Sequence, residues 1–172
     1  ERARMRLPEA ELAVGDIREA PPLPGPFDLV TCVYDSLNYL LETAELRRFF
    51  RLARGMLATD GVLVVDLNDH TMYQDRDGTV HHRLIGGVGI RERLVYSSGP
   101  PPRAITTFEF PEGIEEHQQR PWETEEVERI LATERWQLLD TMDVMDDDVD
   151  QPSGKVVYIA VPAEDVAGSG AP

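Results

Sequence analysis

The chain has 172 residues, 41% hydrophobic and 28% charged, which suits one globular domain with a sizeable core and excludes a disordered chain. Its net charge of −15, from 32 acidic against 17 basic residues, disfavours any partner that needs a basic face, so neither nucleic acid nor an anionic membrane surface is expected. No apolar run approaches the roughly 18 residues of a membrane span. No signal-peptide pattern opens the sequence, and a cytoplasmic location is the expectation.

Residues 1–6 (E-R-A-R-M-R) read as the tail of a helix stopped before Pro8. The first residue is Glu1 rather than Met, so the natural protein is expected to begin earlier. Residues 11–14 read as a short strand ended by Gly15-Asp16, and residues 17–26 as a proline-rich loop. Residues 27–38 (F-D-L-V-T-C-V-Y-D-S-L-N) hold an apolar run that suits a strand buried on both faces. Cys32, the single cysteine, sits in that run as an expected inert core thiol. Tyr34, Asp35, Ser36 and Asn38 turn the chain polar at the strand's carboxyl end, where open α/β sheets bind ligands, and residues 34–38 are expected to floor a site.

Residues 37–41 suggest a helical turn. Thr43 is a fair N-cap for a helix of about four turns that buries Leu46, Phe49, Phe50, Ala53, Met56 and Leu57, with Arg47, Arg48, Arg51 and Arg54 outside. Thr59-Asp60-Gly61 breaks it, and residues 62–67 form a second buried strand ending in Asn68-Asp69-His70. Strand, helix, strand within this length is a crossover unit, so the two strands should be parallel neighbours.

From residue 78 to 116 the pattern alternates and predicts two or three antiparallel strands in a separate small sheet or flap. Thr124 opens a helix with Val127, Ile130 and Leu131 as its buried face. Residues 136–139 and 155–161 read as an antiparallel pair separated by an acidic loop, and residues 163–172 as a frayed tail. The acidic run 143–150 lacks an EF-hand pattern, and the adjacent His81 and His82 point to opposite faces of a strand, so no metal site is expected.

The sequence Asp35-Ser36-Leu37-Asn38-Tyr39-Leu40, with Gly15-Asp16-Ile17, Phe27-Asp28-Leu29-Val30, Asp60-Gly61-Val62-Leu63 and residues 116–120 (E-H-Q-Q-R), resembles class I S-adenosylmethionine-dependent methyltransferases of the small-molecule type. The likeness covers nearly all of residues 1–162. It implies an α/β fold: an incomplete Rossmann-like methyltransferase sheet in a partial domain 1–162, with an antiparallel β insert over 78–117 and a flexible tail at 163–172. In that family residues 11–14 would be the third strand and 27–34 the fourth. The first two strands, with their glycine-rich G-x-G-x-G turn, are not in this sequence, so an N-terminal truncation and an incomplete cofactor site are implied. Residues 11–14 would then re-pair, stay an exposed edge or find a partner chain, homo-oligomer formation included.

The resemblance implies S-adenosyl-L-methionine as cofactor, with the Asp16 carboxylate accepting from the adenine amino group and the Ile17 N–H meeting the ring. Tyr34, Asp35, Ser36 and Leu37 would pass under the cofactor. Asn38, Tyr39, Gln119 and Arg120 are substrate-facing candidates, and His117 and Asn38 are the catalytic candidates. An Arg120 fork suits a carboxylate or phosphate, and His117 suits proton transfer near neutral pH. Each has a structural alternative: an Asx turn at Asp16, a turn cap at Asp35 or Ser36, core packing for Tyr39, and pairing of the 117–120 cluster with Glu115 and Glu116. Trp122 reads as a packing anchor. Residues 66–69 (D-L-N-D) lack the Asn-Pro-Pro-Tyr type of sequence of amino-methylating nucleic-acid enzymes, which points to a small-molecule substrate with an N or O nucleophile. The competing reading is a non-catalytic methyltransferase-like subunit that binds a partner chain. The lack of G-x-G-x-x-G and of a Tyr-x-x-x-Lys pair argues against a nicotinamide-dependent reductase.

Overall fold

The computed structural model describes residues 2–19, 25–146 and 151–164. After a short helix α1 (Arg2–Arg6), the chain forms β1 (Phe27–Cys32), a 3-10 turn (Ser36–Tyr39), α2 (Thr43–Met56), β2 (Leu57–Asn68) and α3 (His70–Gln74). Four strands follow, β3 (Val80–Ile85), β4 (Val88–Ser97), β5 (Arg103–Phe110) and β6 (Gly113–Gln119), then α4 (Thr124–Thr133), β7 (Trp136–Asp146) and β8 (Gln151–Pro162). They build two four-stranded sheets, one in the order β1-β2-β8-β7 and one in the order β3-β4-β5-β6.

β1 and β2 are parallel neighbours, with Cys32 opposite Val65, as the crossover requires. β8 pairs antiparallel with β2 and β7 with β8, so one parallel pair continues into an antiparallel half. The burial of these strands corrects the two-faced reading. On β2 Leu63 and Val65 are buried while Val62 and Val64 are half-buried, and β8 alternates likewise at Val156, Tyr158 and Ala160. Period-two burial means one covered face. That face carries α2 and α4, whose Leu46, Phe49, Phe50, Ala53, Val127, Ile130 and Leu131 form the core with Trp122 and Trp136. Removing the fully buried Phe50 side chain costs about 3–5 kcal/mol by analogy with other core truncations. β1 lies at the sheet edge, with Leu29 55% exposed, and Cys32 is half-buried rather than sealed in the core.

Residues 11–14 form no strand; Val14 is 99% exposed. A strand exists through its ladder, and none of the described strands pairs with this segment. β2 begins at Leu57, directly after α2, so residues 59–61 lie in the strand rather than in a break. The cap of α2 is Glu42 rather than Thr43, because the Glu45 carboxylate accepts from the Leu41 and Glu42 backbone N–H groups. Arg47 and Arg51, on the outer side of α2 as expected, clasp the buried Glu134 at 2.6 and 3.2 Å.

The insert has four strands. The β3–β4 hairpin turns on Gly86 and Gly87, both at positive φ, between the paired Ile85 and Val88. That is the two-residue loop whose twist suits a hairpin, and glycine relieves the steric cost. Parts of the acidic loop and of the C-terminal tail expected from the sequence lie outside the described residues.

Asn38 fastens the two sheets. Its side chain is fully buried, donates to the Asn68 and Arg120 carbonyls at 2.8 Å each, and accepts from the Asn68 N–H at 2.9 Å. Asn38→Ala leaves buried backbone groups of two segments unpaired and is expected to lower unfolding stability by about 2–4 kcal/mol, read in a urea titration. Burial, with a smaller push from the Asp66 charge, raises the Cys32 thiol to about 11. Its alkylation by iodoacetamide is therefore expected to stay slow at pH 8 and to climb as the pH approaches that value; a rate already at plateau by pH 9 would contradict this.

Candidate functional site

The carboxyl ends of β1 and β2 meet through Asp66. Its carboxylate accepts from the Tyr34 N–H at 2.9 Å and the Asp35 N–H at 2.6 Å. These two residues lie in the left-handed region, with φ of 62° and 49°, where a non-glycine side chain costs roughly 1–3 kcal/mol each. Charge-assisted hydrogen bonds, worth about 1.5–3 kcal/mol each, are of the right size to hold them there. Lys155, on β8 opposite Asn68, sits 3.6 Å from Asp35 and 3.8 Å from Asp66, so one ammonium faces both carboxylates.

A cavity of about 370 Å³ lies over these tips, bounded by α3 and the second sheet. Asp35, Tyr39, Asn68, His117, Gln119 and Lys155 line it. The Tyr39 hydroxyl is 2.7 Å from His117 Nδ1, Glu115 lies 3.5 Å from His117 Nε2, and Phe108 meets the imidazole edge-on at 5.1 Å between ring centres. An Nε2–H facing Glu115, with Nδ1 accepting from Tyr39, satisfies all three polar groups. Burial first, and the Asp35 charge second, raise the Tyr39 hydroxyl above the ordinary phenol value. A separate groove of about 240 Å³ with mostly apolar walls lies between residues 13–19, β1 and α2.

Of the residues singled out from the sequence, Asp35, Tyr39, His117 and Gln119 come together in the cavity. Asp16 and Ile17 line the apolar groove. The Asp16 carboxylate accepts from the Arg18 backbone N–H at 2.8 Å and from its guanidinium at 2.6 Å, the Asx-turn alternative. Arg18 holds this exposed carboxyl down at about 2. Ser36 turns away and donates to the Val33 carbonyl; Tyr34 is 84% exposed. Leu37, expected under the cofactor, and Asn38, expected to face substrate, are fully buried and serve the architecture. Arg120 is buried too: its Nη2 donates to both oxygens of Glu126, at 2.8 and 3.1 Å, its Nη1 to the Leu41 carbonyl and the Thr43 hydroxyl, and it stacks on Trp122. Burial among its own partners removes it from the cavity wall.

The sequence reading missed Asp66, Lys155, Asn68 and Tyr73. Asp66 carried one usable signal, a carboxylate within a buried strand. Lys155 and Tyr73 carried none, since their roles depend on the sheet order. Asp66→Ala removes the acceptor from two left-handed N–H groups. It is expected to cost about 2–4 kcal/mol and to collapse amide-exchange protection at Tyr34 and Asp35 first. Unchanged protection at both amides would contradict the clamp.

No family model matches the chain. A crystal structure of an S-adenosylmethionine-dependent methyltransferase from Clostridium acetobutylicum ATCC 824 superposes with a TM-score of 0.76 at 22% identity, over 95% of this chain and 69% of that one. SAM-bound CalS10, an amino pentose methyltransferase from Micromonospora echinaspora, gives 0.61 at 26% identity, over 94% and 68%. A protein of Geobacillus sp. (strain WCH70), provisionally named a methyltransferase, is 46% identical over 48 residues, 28% of this chain. That match spans only 19% of the Geobacillus protein. Over the part it spans, the chain has the Rossmann-like α/β fold of S-adenosylmethionine-dependent methyltransferases.

Proposed function

We propose that this chain forms part of an S-adenosylmethionine-dependent enzyme that methylates an N or O nucleophile of a small molecule. The observation that carries the reading is the polar cavity at the paired strand tips, roofed by an antiparallel sheet. A sheet held over the tips fixes a nucleophile, and alignment supplies several kcal/mol of a displacement barrier. The similarity to CalS10, an amino pentose methyltransferase, supports a small polar substrate.

The cofactor fits in part. The apolar groove suits a flat purine, and Asp16 and Ile17 at its rim would hold the ring. Arg18 fills the Asp16 acceptor positions, but the pair is solvent-exposed and weakly held, so an amino group competes with it. When bound, S-adenosylmethionine supplies the methyl group. The chain's own residues do the rest. Tyr39 and His117 form the proton path: a nucleophile on the Tyr39 oxygen gives its proton there while Tyr39 passes its own to His117 Nδ1. Glu115 steadies the imidazolium that results. Lys155 keeps the Asp35–Asp66 pair from repelling across the tip.

A second reading is a methyltransferase-like subunit that docks a partner chain, favoured by the open edge of β1, with Leu29 on the strand and Val33 just after it exposed. Calorimetry with S-adenosylhomocysteine separates the two, run on this chain and on the product of its full-length reading frame. Binding by the full-length product, weakened at least tenfold by Asp16→Ala, is the expected result. Absence of binding by either favours the docking subunit. Once a methyl acceptor is in hand, His117→Ala is expected to lower kcat by about 10²–10⁴ with little change in cofactor affinity.

A further inference from the structure

The cavity wall holds a hydrogen-bond relay whose direction can be worked out from one end. The Asp35 carboxylate only accepts, so the Gln119 group 2.6 Å from it is the Nε2 donor. Gln119 Oε1 therefore faces the Tyr73 hydroxyl at 3.3 Å and must accept. Tyr73 has a single proton, which goes to Gln119, so its oxygen accepts from Asn68 Nδ2 at 3.3 Å. Asn68 Oδ1 is then left as an acceptor. Asn68 is only 5% exposed, it lines the cavity, and its Oδ1, itself shielded from solvent, has no hydrogen-bond partner among the described residues. Side-chain amide oxygens and nitrogens are easily interchanged, but here the carboxylate at the far end fixes which is which.

We propose that Asn68 Oδ1 is a specificity-determining acceptor: the substrate presents a hydrogen-bond donor to it, a hydroxyl or amine N–H. Groups that only accept, such as a ketone or ether oxygen, are excluded at this position. The proposal rests on the cavity being the substrate site of the proposed transferase. A buried acceptor without a partner is costly, and a donor-bearing ligand relieves that cost whereas an acceptor-only ligand adds repulsion. A site built to meet a hydroxyl or N–H strongly rejects the analogue that lacks it.

The test uses three ring compounds of nearly equal size, cyclohexanol, cyclohexylamine and cyclohexanone, titrated into the full chain. Binding is followed by the NMR shifts of the Asn68 and Gln119 side-chain amides. Cyclohexanol and cyclohexylamine are expected to bind about tenfold or more tighter than cyclohexanone. Asn68→Leu, which keeps the backbone bonds to Asn38, is expected to erase that preference. Tyr73→Phe frees the Asn68 amide to turn and is expected to narrow the preference with the fold intact. Equal or tighter binding of cyclohexanone overturns the proposal. So does a preference that survives Asn68→Leu, or no shift at Asn68 with any of the three at their solubility limits. Donor preference without S-adenosylhomocysteine binding would sink the transferase reading alone; cofactor binding without donor preference would sink only this one.

Discussion

The bonds from Asp66 to the Tyr34 and Asp35 amides set the shape of everything above the sheet. A strand that ended in ordinary extended geometry would run on past its neighbour. Two left-handed residues instead fold the chain back sharply, and the 3-10 turn starts at once. Left-handed backbone at non-glycine positions persists only where its surroundings over-determine it, and it concentrates at functional sites. Here the surroundings are one carboxylate on the adjacent strand and one ammonium on the strand after it. The parallel pairing of β1 with β2, and the antiparallel pairing of β2 with β8, are what put them within reach.

Asn38 extends that local geometry into the join between the sheets. The folded-back tip delivers its amide into the gap between the end of β2 and the segment leaving β6, where it satisfies backbone groups that would otherwise be buried unpaired. The second sheet is thereby held over the tips with a hollow between. A smaller cluster around Tyr73, Leu94 and Ala104 packs α3 against the same sheet. The cavity is thus enclosed by groups from both sheets, and its polar wall is a directed relay rather than a scatter of side chains.

Much of this was legible in the sequence where local rules suffice. The three-and-four spacing of Leu46, Phe49, Phe50 and Ala53 fixed α2, and the length between the apolar runs fixed the parallel pairing of β1 with β2. The runs themselves misled about burial: consecutive Val and Leu residues look the same whether one face is covered or two. The Ile85-Gly86-Gly87-Val88 turn is a readable hairpin signal between β3 and β4; the expectation of two or three strands fell short of four because residues 113–119 carry no strand-like apolar alternation. Residues 11–14 have strand composition but no ladder partner among the described strands, and composition cannot supply one. Asn38 and Arg120 were chosen for chemistry that their burial redirects to architecture. Asp35, Tyr39, His117 and Gln119 were found because polar residues at a strand end and before a helix carry a local signal. The clamp and the relay are long-range, and no spacing rule reports them.

Shift mapping by NMR of the protein with S-adenosylhomocysteine tests the account most directly. The account predicts that the largest amide changes fall at Ile17, Tyr34 and Asp35, continuing to Asn68 across the tips. Changes confined to the hollow around Gly55, Thr59 and Thr133 at the other end of β2, or no changes in the tip amides at saturating ligand, would contradict it.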